Sequence, residues 1–178
     1  MITIQDETDL LPAIYDGPFE QPMWQTFLDR LRTRTRADSA SISFRPPGLE
    51  RRTIHLRSGR PTDPDVARLY QAEAWRRDPL PYFDLREERV YALSELILPG
   101  DPQHARFRRE LLVPSGVEAL RIMRVSEPGG VSAWIDVIRS GGDFTPADGA
   151  LLSRIAPHFR RSLRAYAEIE RQKASARM

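Results

Sequence analysis

The chain has 178 residues, 40% apolar and 29% charged, which suits one ordinary globular domain able to bury about 70% of its unfolded surface without staples. Cysteine is absent, so disulfides, thiolate zinc sites, iron–sulfur clusters and cysteine nucleophiles are all excluded. Bases outnumber acids only 27 to 25, so the abundance of arginine carries no net phosphate-binding charge.

The first 20 residues hold five acids and no base, the reverse of a secretory or transit leader. No apolar run approaches the roughly 20 residues needed to span a bilayer. A soluble, cytoplasmic protein without a membrane partner is expected. From 21 to 35, Trp24, Phe27, Leu28 and Leu31 recur at helical spacing, with Pro22 in the first turn and arginines at 30, 32, 34 and 36 toward the negative end of the helix dipole. Ala40, Ile42 and Phe44 then alternate with Ser39, Ser41 and Ser43, Arg45-Pro46-Pro47-Gly48 turns the chain, and Ile54 and Leu56 alternate again. This is an antiparallel hairpin. Thr62-Asp63-Pro64-Asp65 opens the next helix with a cap and an early proline, and Asp78-Pro79 and Pro81 close it.

Prolines at 79, 81, 99, 102 and 114 cut the middle of the chain into short pieces, among which a strand at 89–93 and a helix at 102–112 are predicted. Two strands, 117–125 and 131–139, flank the turn Glu127-Pro128-Gly129-Gly130. Both carry apolar residues on both faces, so their sheet must be covered on both. The last helix begins at Thr145-Pro146-Ala147-Asp148, a capping threonine with proline at the first helical position. Its stripe of Leu151, Leu152, Ile155, Phe159, Leu163, Tyr166 and Ile169 continues to about Lys173, with a kink expected ahead of Pro157. The fold class is therefore α+β, a five-stranded antiparallel sheet with terminal helices on one face and short helices over the other.

Catalytic chemistry leaves no trace. His55, His104 and His158 stand apart, none in a metal spacing. A haem would have to hang on His55 or His104 alone, and a structural role is the simpler reading, so no cofactor is expected. Phosphate-loop, dinucleotide and serine-nucleophile motifs are missing, and an enzyme is not predicted. What remains is an aromatic set, Tyr70, Trp75, Tyr82, Phe83, Tyr91, Phe107 and Trp134, concentrated in the irregular middle and on the strands. Aromatics with one polar tip line pockets for small organic molecules, although they equally build cores. Asp78 lies among them, either accepting a hydrogen bond from a ligand or pairing with Arg76 or Arg77.

These elements resemble the GAF/PAS-like sensory domain found upstream of LuxR-type helix-turn-helix regulators. The carriers are Ile14-Tyr15-Asp16 through Trp24-Gln25-Thr26-Phe27-Leu28, then Ala37-Asp38-Ser39-Ala40-Ser41, and at the end Phe144-Thr145-Pro146-Ala147-Asp148 with Ile155-Ala156-Pro157-His158-Phe159-Arg160-Arg161. The resemblance implies a bacterial one-component sensor, in which a small organic effector, an acyl-homoserine lactone or an aromatic compound, biases a homodimer. Asp78-Pro79 is similar to the Asp-Pro of acyl-homoserine-lactone receptors, where the Asp binds the ligand amide. Tyr70 and Trp75 stand as counterparts of the ligand-contacting Tyr and Trp, with Trp75 nearer to Asp78 than in those receptors.

The sensory domain is expected to fill 1–173, with the signalling helix at 146–173 and a short tail at 174–178. The helix-turn-helix that would contact DNA is not in the chain, which reads as an excised sensor or one that has lost its output. Direct DNA binding through the arginine-rich helices is the weaker idea, because their bases alternate with acids. The C-terminal stripe is longer than a small sheet can cover, so Trp24, Phe27, Leu31, Phe159, Leu163 and Tyr166 are expected at a dimer interface, unless the stripe packs wholly on its own sheet. The alternative to a sensor is an interaction module that dimerises without a ligand.

Overall fold

The computed structural model describes residues 3–49, 52–72 and 79–178. An opening helix, α1 (Ile4–Asp16), stands in the acidic, base-free start of the chain. Thr3 starts it with a capping box: its hydroxyl accepts the Asp6 amide N–H at 3.1 Å, and the Asp6 carboxylate accepts the Thr3 amide N–H at 2.9 Å. Leu10, Ala13 and Ile14 make its buried face. The second helix, α2 (Gln25–Thr35), begins three residues beyond Pro22, because Trp24 caps it in the left-handed region at φ 53°. It ends in the same way at Arg36, φ 52°, whose N–H returns to the Arg32 and Thr33 carbonyls.

Strands β1 (Ser39–Phe44) and β2 (Ile54–Gly59) form the first hairpin. Helix α3 (Pro64–Ala72), strand β3 (Val90–Ala92), the single-turn helix α4 (Leu93–Leu96) and helix α5 (Pro102–Phe107), which widens into a π turn through Leu112, occupy the middle. Asp63 rather than Thr62 caps α3, accepting the Asp65 N–H at 2.8 Å. Strands β4 (Ala119–Ser126) and β5 (Ser132–Arg139) make the second hairpin, and α6 runs unbroken from Pro146 to Ser175, with Pro157 inside it. The five strands pair antiparallel, in the order β2-β1-β5-β4-β3. The predicted α+β sheet is the one observed. Among the described residues, no helix is long and apolar enough to cross a membrane.

Alternation along the strands divides the side chains between two layers. The inner face, with Ile42 and Phe44 of β1, Ile135 and Val137 of β5 and Met123 of β4, is wholly buried in one cluster with α1, α2 and α6. Trp24 lies at its centre, its ring 5.4 Å from Phe159, 5.8 Å from Tyr166 and 5.9 Å from Phe44. Its indole N–H is shared between the Ile14 carbonyl, at 3.2 Å, and the Ser162 hydroxyl, at 3.1 Å.

This packing corrects the expected subunit seam. Trp24, Phe27, Leu31, Phe159 and Leu163 are 0% exposed and Tyr166 is 4% exposed within the single chain. They have no surface left to give a partner, and the stripe packs on its own sheet as far as Ala167. At about 1.5 Å per residue the 30-residue α6 is roughly 45 Å long, and its turns past Ala167 run outside this core.

The β4–β5 turn is tied to that outer end. Glu127, 3% exposed, accepts the N–H groups of Gly129 and Val131 at 2.7 and 2.9 Å and pairs with Arg171 of α6 at 3.0 Å. Burial pushes its carboxyl up, but those amides and the guanidinium outweigh it and hold the group below the usual carboxylate range. A second tie joins the start of β1 to the end of β5: the Ser140 hydroxyl and amide donate to Asp38 at 2.7 and 2.8 Å and hold that carboxyl low.

Two predictions follow from this layer. A Cβ on Gly17 would lie 1.9 Å from the Trp24 ring; Gly17→Ala is therefore expected to lower stability by about 1–3 kcal/mol through overpacking, read by urea denaturation. Leu163→Glu places a charge in the buried cluster, so it should unfold the chain rather than dissociate an oligomer; circular dichroism with sedimentation separates the two.

Candidate functional site

The outer face of the sheet carries a second buried cluster. Leu120 and Ile122 of β4 and Trp134 of β5 form its floor, and Leu93, Leu96, Phe107, Leu111 and Leu112 from the α4–α5 stretch cover it, with Val66 of α3, Tyr82, Tyr91 and Ile138 packed against them. The irregular middle therefore makes a wall over the sheet, as its prolines and aromatics suggest.

Two side chains of the floor pin the wall through its backbone. The Trp134 indole N–H donates to the Tyr82 carbonyl at 2.9 Å, and an Arg124 guanidinium N–H donates to the Phe83 carbonyl at 2.7 Å. The Tyr82 and Phe83 rings stand edge-on to Trp134, with centroids 6.4 and 5.0 Å away. Farther along, the Tyr91 hydroxyl accepts the Arg86 N–H at 3.0 Å, and the Arg89 guanidinium lies 4.3 Å from the Tyr91 ring centre. Phe83 itself is 56% exposed, placing it at the rim.

Of the residues expected at a ligand site, the structure brings Tyr82, Phe83, Tyr91, Phe107 and Trp134 together over or within this one face. Tyr70 belongs to the backbone of α3, and Trp75 and Asp78 lie outside the described residues. The three histidines have local partners. His55 Nδ1 lies 2.8 Å from the Ser43 hydroxyl, His104 Nδ1 accepts the Leu98 N–H at 2.8 Å, and His158 Nδ1 lies 2.7 Å from the Tyr15 hydroxyl. No group of three potential metal ligands occurs among the described residues.

Asp136 is the residue that reading the strands for their apolar stripes passes over. It sits on central strand β5 between Trp134 and Ile138, which share its face, and pairs with Ser41 of β1 and Ile122 of β4. The Ser41 hydroxyl is 2.7 Å from its Oδ2, while its Oδ1 is buried without a partner. Burial pushes the carboxyl above the usual carboxylate range, against the weaker pull of Ser41 and the more distant Arg57. A crevice elsewhere, between α1 and α6 at Asp6, Leu11, Arg154 and His158, holds about 40 Å³, room for a few waters and no organic ligand.

The raised carboxyl makes stability pH-dependent in a defined sense. The folded chain holds the Asp136 proton more tightly than the unfolded one, so stability falls as pH rises above the unfolded value near 3.9 and until the folded group has ionised. Asp136→Asn should therefore raise the thermal midpoint at pH 7. The gain should shrink toward zero below about pH 4, where both side chains are neutral; scanning calorimetry across that range checks it.

No protein-family model and no curated relative matches the sequence. Solved structures do match. The N-acylhomoserine lactone dependent LuxR family transcription factor CepR2 from Burkholderia cenocepacia superposes with a TM-score of 0.61 at 12% identity, over 94% of this chain and 98% of that one. SdiA in complex with octanoyl-rac-glycerol gives 0.58 at 11% identity, over 98% of this chain and 69% of the other. The GAF domain of a putative sensor histidine kinase from Pseudomonas syringae pv. tomato gives 0.55 at 12% identity, over 96% and 93%. The chain thus has the fold common to the ligand-binding domains of LuxR-type regulators and to GAF domains.

Proposed function

We propose that this chain is the small-molecule-sensing, dimeric regulatory domain of a bacterial, cytoplasmic one-component transcriptional regulator, and not an enzyme. The observation that carries this reading is the outer face of the sheet: a mostly apolar floor with one carboxyl, Asp136, whose Oδ1 is buried without a partner, roofed by short helices and by an aromatic segment hung from Trp134 and Arg124. Apolar surroundings with a few fixed polar groups suit small organic ligands. The effector is an acyl-homoserine lactone or a small aromatic compound, and Tyr70, Trp75, Asp78, Tyr82, Phe83, Tyr91, Phe107 and Trp134 line its site. The resemblance of the fold to CepR2, described as N-acylhomoserine lactone dependent, and to an SdiA structure holding octanoyl-rac-glycerol supports the class of effector.

The part of α6 beyond Ala167 is the output lever. The homodimer forms on surface outside the buried cluster, where Ile4, Tyr15 and Phe19 around α1 are exposed.

A thermal-shift screen of acyl-homoserine lactones and small aromatics tests the sensor. A ligand at 100 times its Kd stabilises by about 2.7 kcal/mol, which for a domain of this size is a midpoint shift of several degrees. A screen in which no compound shifts the midpoint overturns the sensor and leaves the interaction module. Sedimentation at tens of micromolar should show a dimer; a monomer at that concentration overturns the dimeric part alone.

A further inference from the structure

Asp136 has no place in the packing that explains it. It lies on the central strand, with Ile122 (3% exposed) beside it on β4 and Trp134 (8% exposed) two residues away on the same face. An ionisable group surrounded in this way is ordinarily paired, because an unmade hydrogen bond to a buried acceptor loses the full cost of desolvating it. Half of this carboxyl is satisfied, at Oδ2 by Ser41, and Oδ1 is buried with no partner.

The polar groups facing it from neighbouring strands are committed elsewhere. Arg57 of β2, one strand beyond Ser41 in the same row, donates to the Arg60 carbonyl at 3.3 Å. His55 of β2 holds Ser43, Arg124 of β4 holds the Phe83 carbonyl and the Ser132 hydroxyl, and the Tyr91 hydroxyl of β3 accepts the Arg86 N–H. From the covering segment, the Tyr82 carbonyl is taken by Trp134. None of these supplies the missing donor.

We propose that Asp136, held by Ser41, is the polar anchor of the effector site, and that the effector presents a nitrogen-borne hydrogen-bond donor, an amide N–H or an ammonium, to Asp136 Oδ1. The inference rests on the sensor reading above and narrows it to effectors with an apolar body and one such donor. An amide or ammonium supplies the partner the chain withholds and favours the ionised carboxylate, whereas an ester or ether of the same shape brings only a second acceptor against it. Trp134 and Ile122 beside the acid receive the apolar body.

Three probes with one aromatic body separate the cases by isothermal titration: phenylacetamide carries an amide N–H, phenethylamine an ammonium, and methyl phenylacetate neither. The wild-type chain should bind at least one nitrogen compound about tenfold or more tightly than the ester, and Asp136→Ala should erase that preference. With Asp136→Asn, retention of the amide and loss of the amine assigns the amide arm, and loss of both assigns the carboxylate itself.

Because the bound form favours the ionised acid, phenylacetamide or phenethylamine affinity in the wild-type chain should rise from pH 4 upward and level off once the free group has ionised. That profile needs no variant, so it holds the proposal to account even if the substitutions fail to fold. A flat profile, equal binding by wild type and Asp136→Ala, a preference for the ester, or no binding by any of the three overturns the anchor. If compounds from the wider screen bind the wild-type and Asp136→Ala chains alike, the sensor stands and the anchor falls.

Discussion

The inner layer depends on how Trp24 is held. An indole in a left-handed residue at the start of α2 is an unusual way to begin a helix, since that backbone region disfavours side chains with a Cβ. The surroundings explain its persistence. The ring reaches α6 through Phe159 and Tyr166 and β1 through Phe44, and the N–H is shared between the last turn of α1 and Ser162 of α6. Ser162 in turn donates to the same Ile14 carbonyl. Three helices and the sheet are thereby referred to one side chain, and Gly17 is needed because nothing larger fits beside the ring. The buried polar trio leaves no donor unspent, which is the condition for a polar network inside a core to be tolerated.

The outer layer is built on the opposite rule. Its covering pieces are short, and they are hung on the sheet by side-chain donors reaching single backbone carbonyls of the 82–83 turn, Trp134 to one and Arg124 to the next. Short elements with few bonds each open at lower cost than long packed helices. The two faces of one sheet are thus covered by separate layers, long helices on the inner side and short elements on the outer.

Much of this was legible in the residues, and the gaps have identifiable causes. Alternation marks Ser39–Phe44, apolar runs on both faces mark Ala119–Ser126 and Ser132–Arg139, and the turns between paired strands carry Pro and Gly. The opening helix was hidden by its acids and by Pro12, although Thr3 and Asp6 at capping-box spacing and Leu10, Ala13 and Ile14 on one face announce it. The stripe on α6 is legible as an apolar face, but periodicity states that a face is covered and not by what. Here Phe159 and Leu163 meet Trp24 and Phe27 of their own chain. Asp136 gives no periodic signal of its own, because it lies between Trp134 and Ile138 on the same face of a strand that is otherwise apolar over 133–138. A lone acid in the middle of a strand that must be covered on both sides is the signal that points to it.

The two layers touch where a signal would have to cross. Glu87 bridges to Arg124 of β4, the Glu88 amide donates to the Arg124 carbonyl at 2.8 Å, and Arg124 reaches the Phe83 carbonyl of the covering segment with its side chain. The Glu87 and Glu88 carboxylates lie 3.4 and 2.7 Å from the Arg160 guanidinium on α6. The 82–83 turn over the outer face is thus linked through β4 and two carboxylates to a point near the middle of a roughly 45 Å helix. Two acids against one guanidinium, all partly open to water, make a contact of modest energy that can exchange partners without disturbing the core beneath it. The helix is therefore held in two different ways, by Phe159 and Leu163 in the dry core on its buried side and by a partly solvated ion pair at Arg160, and the second can be exchanged without disturbing the first.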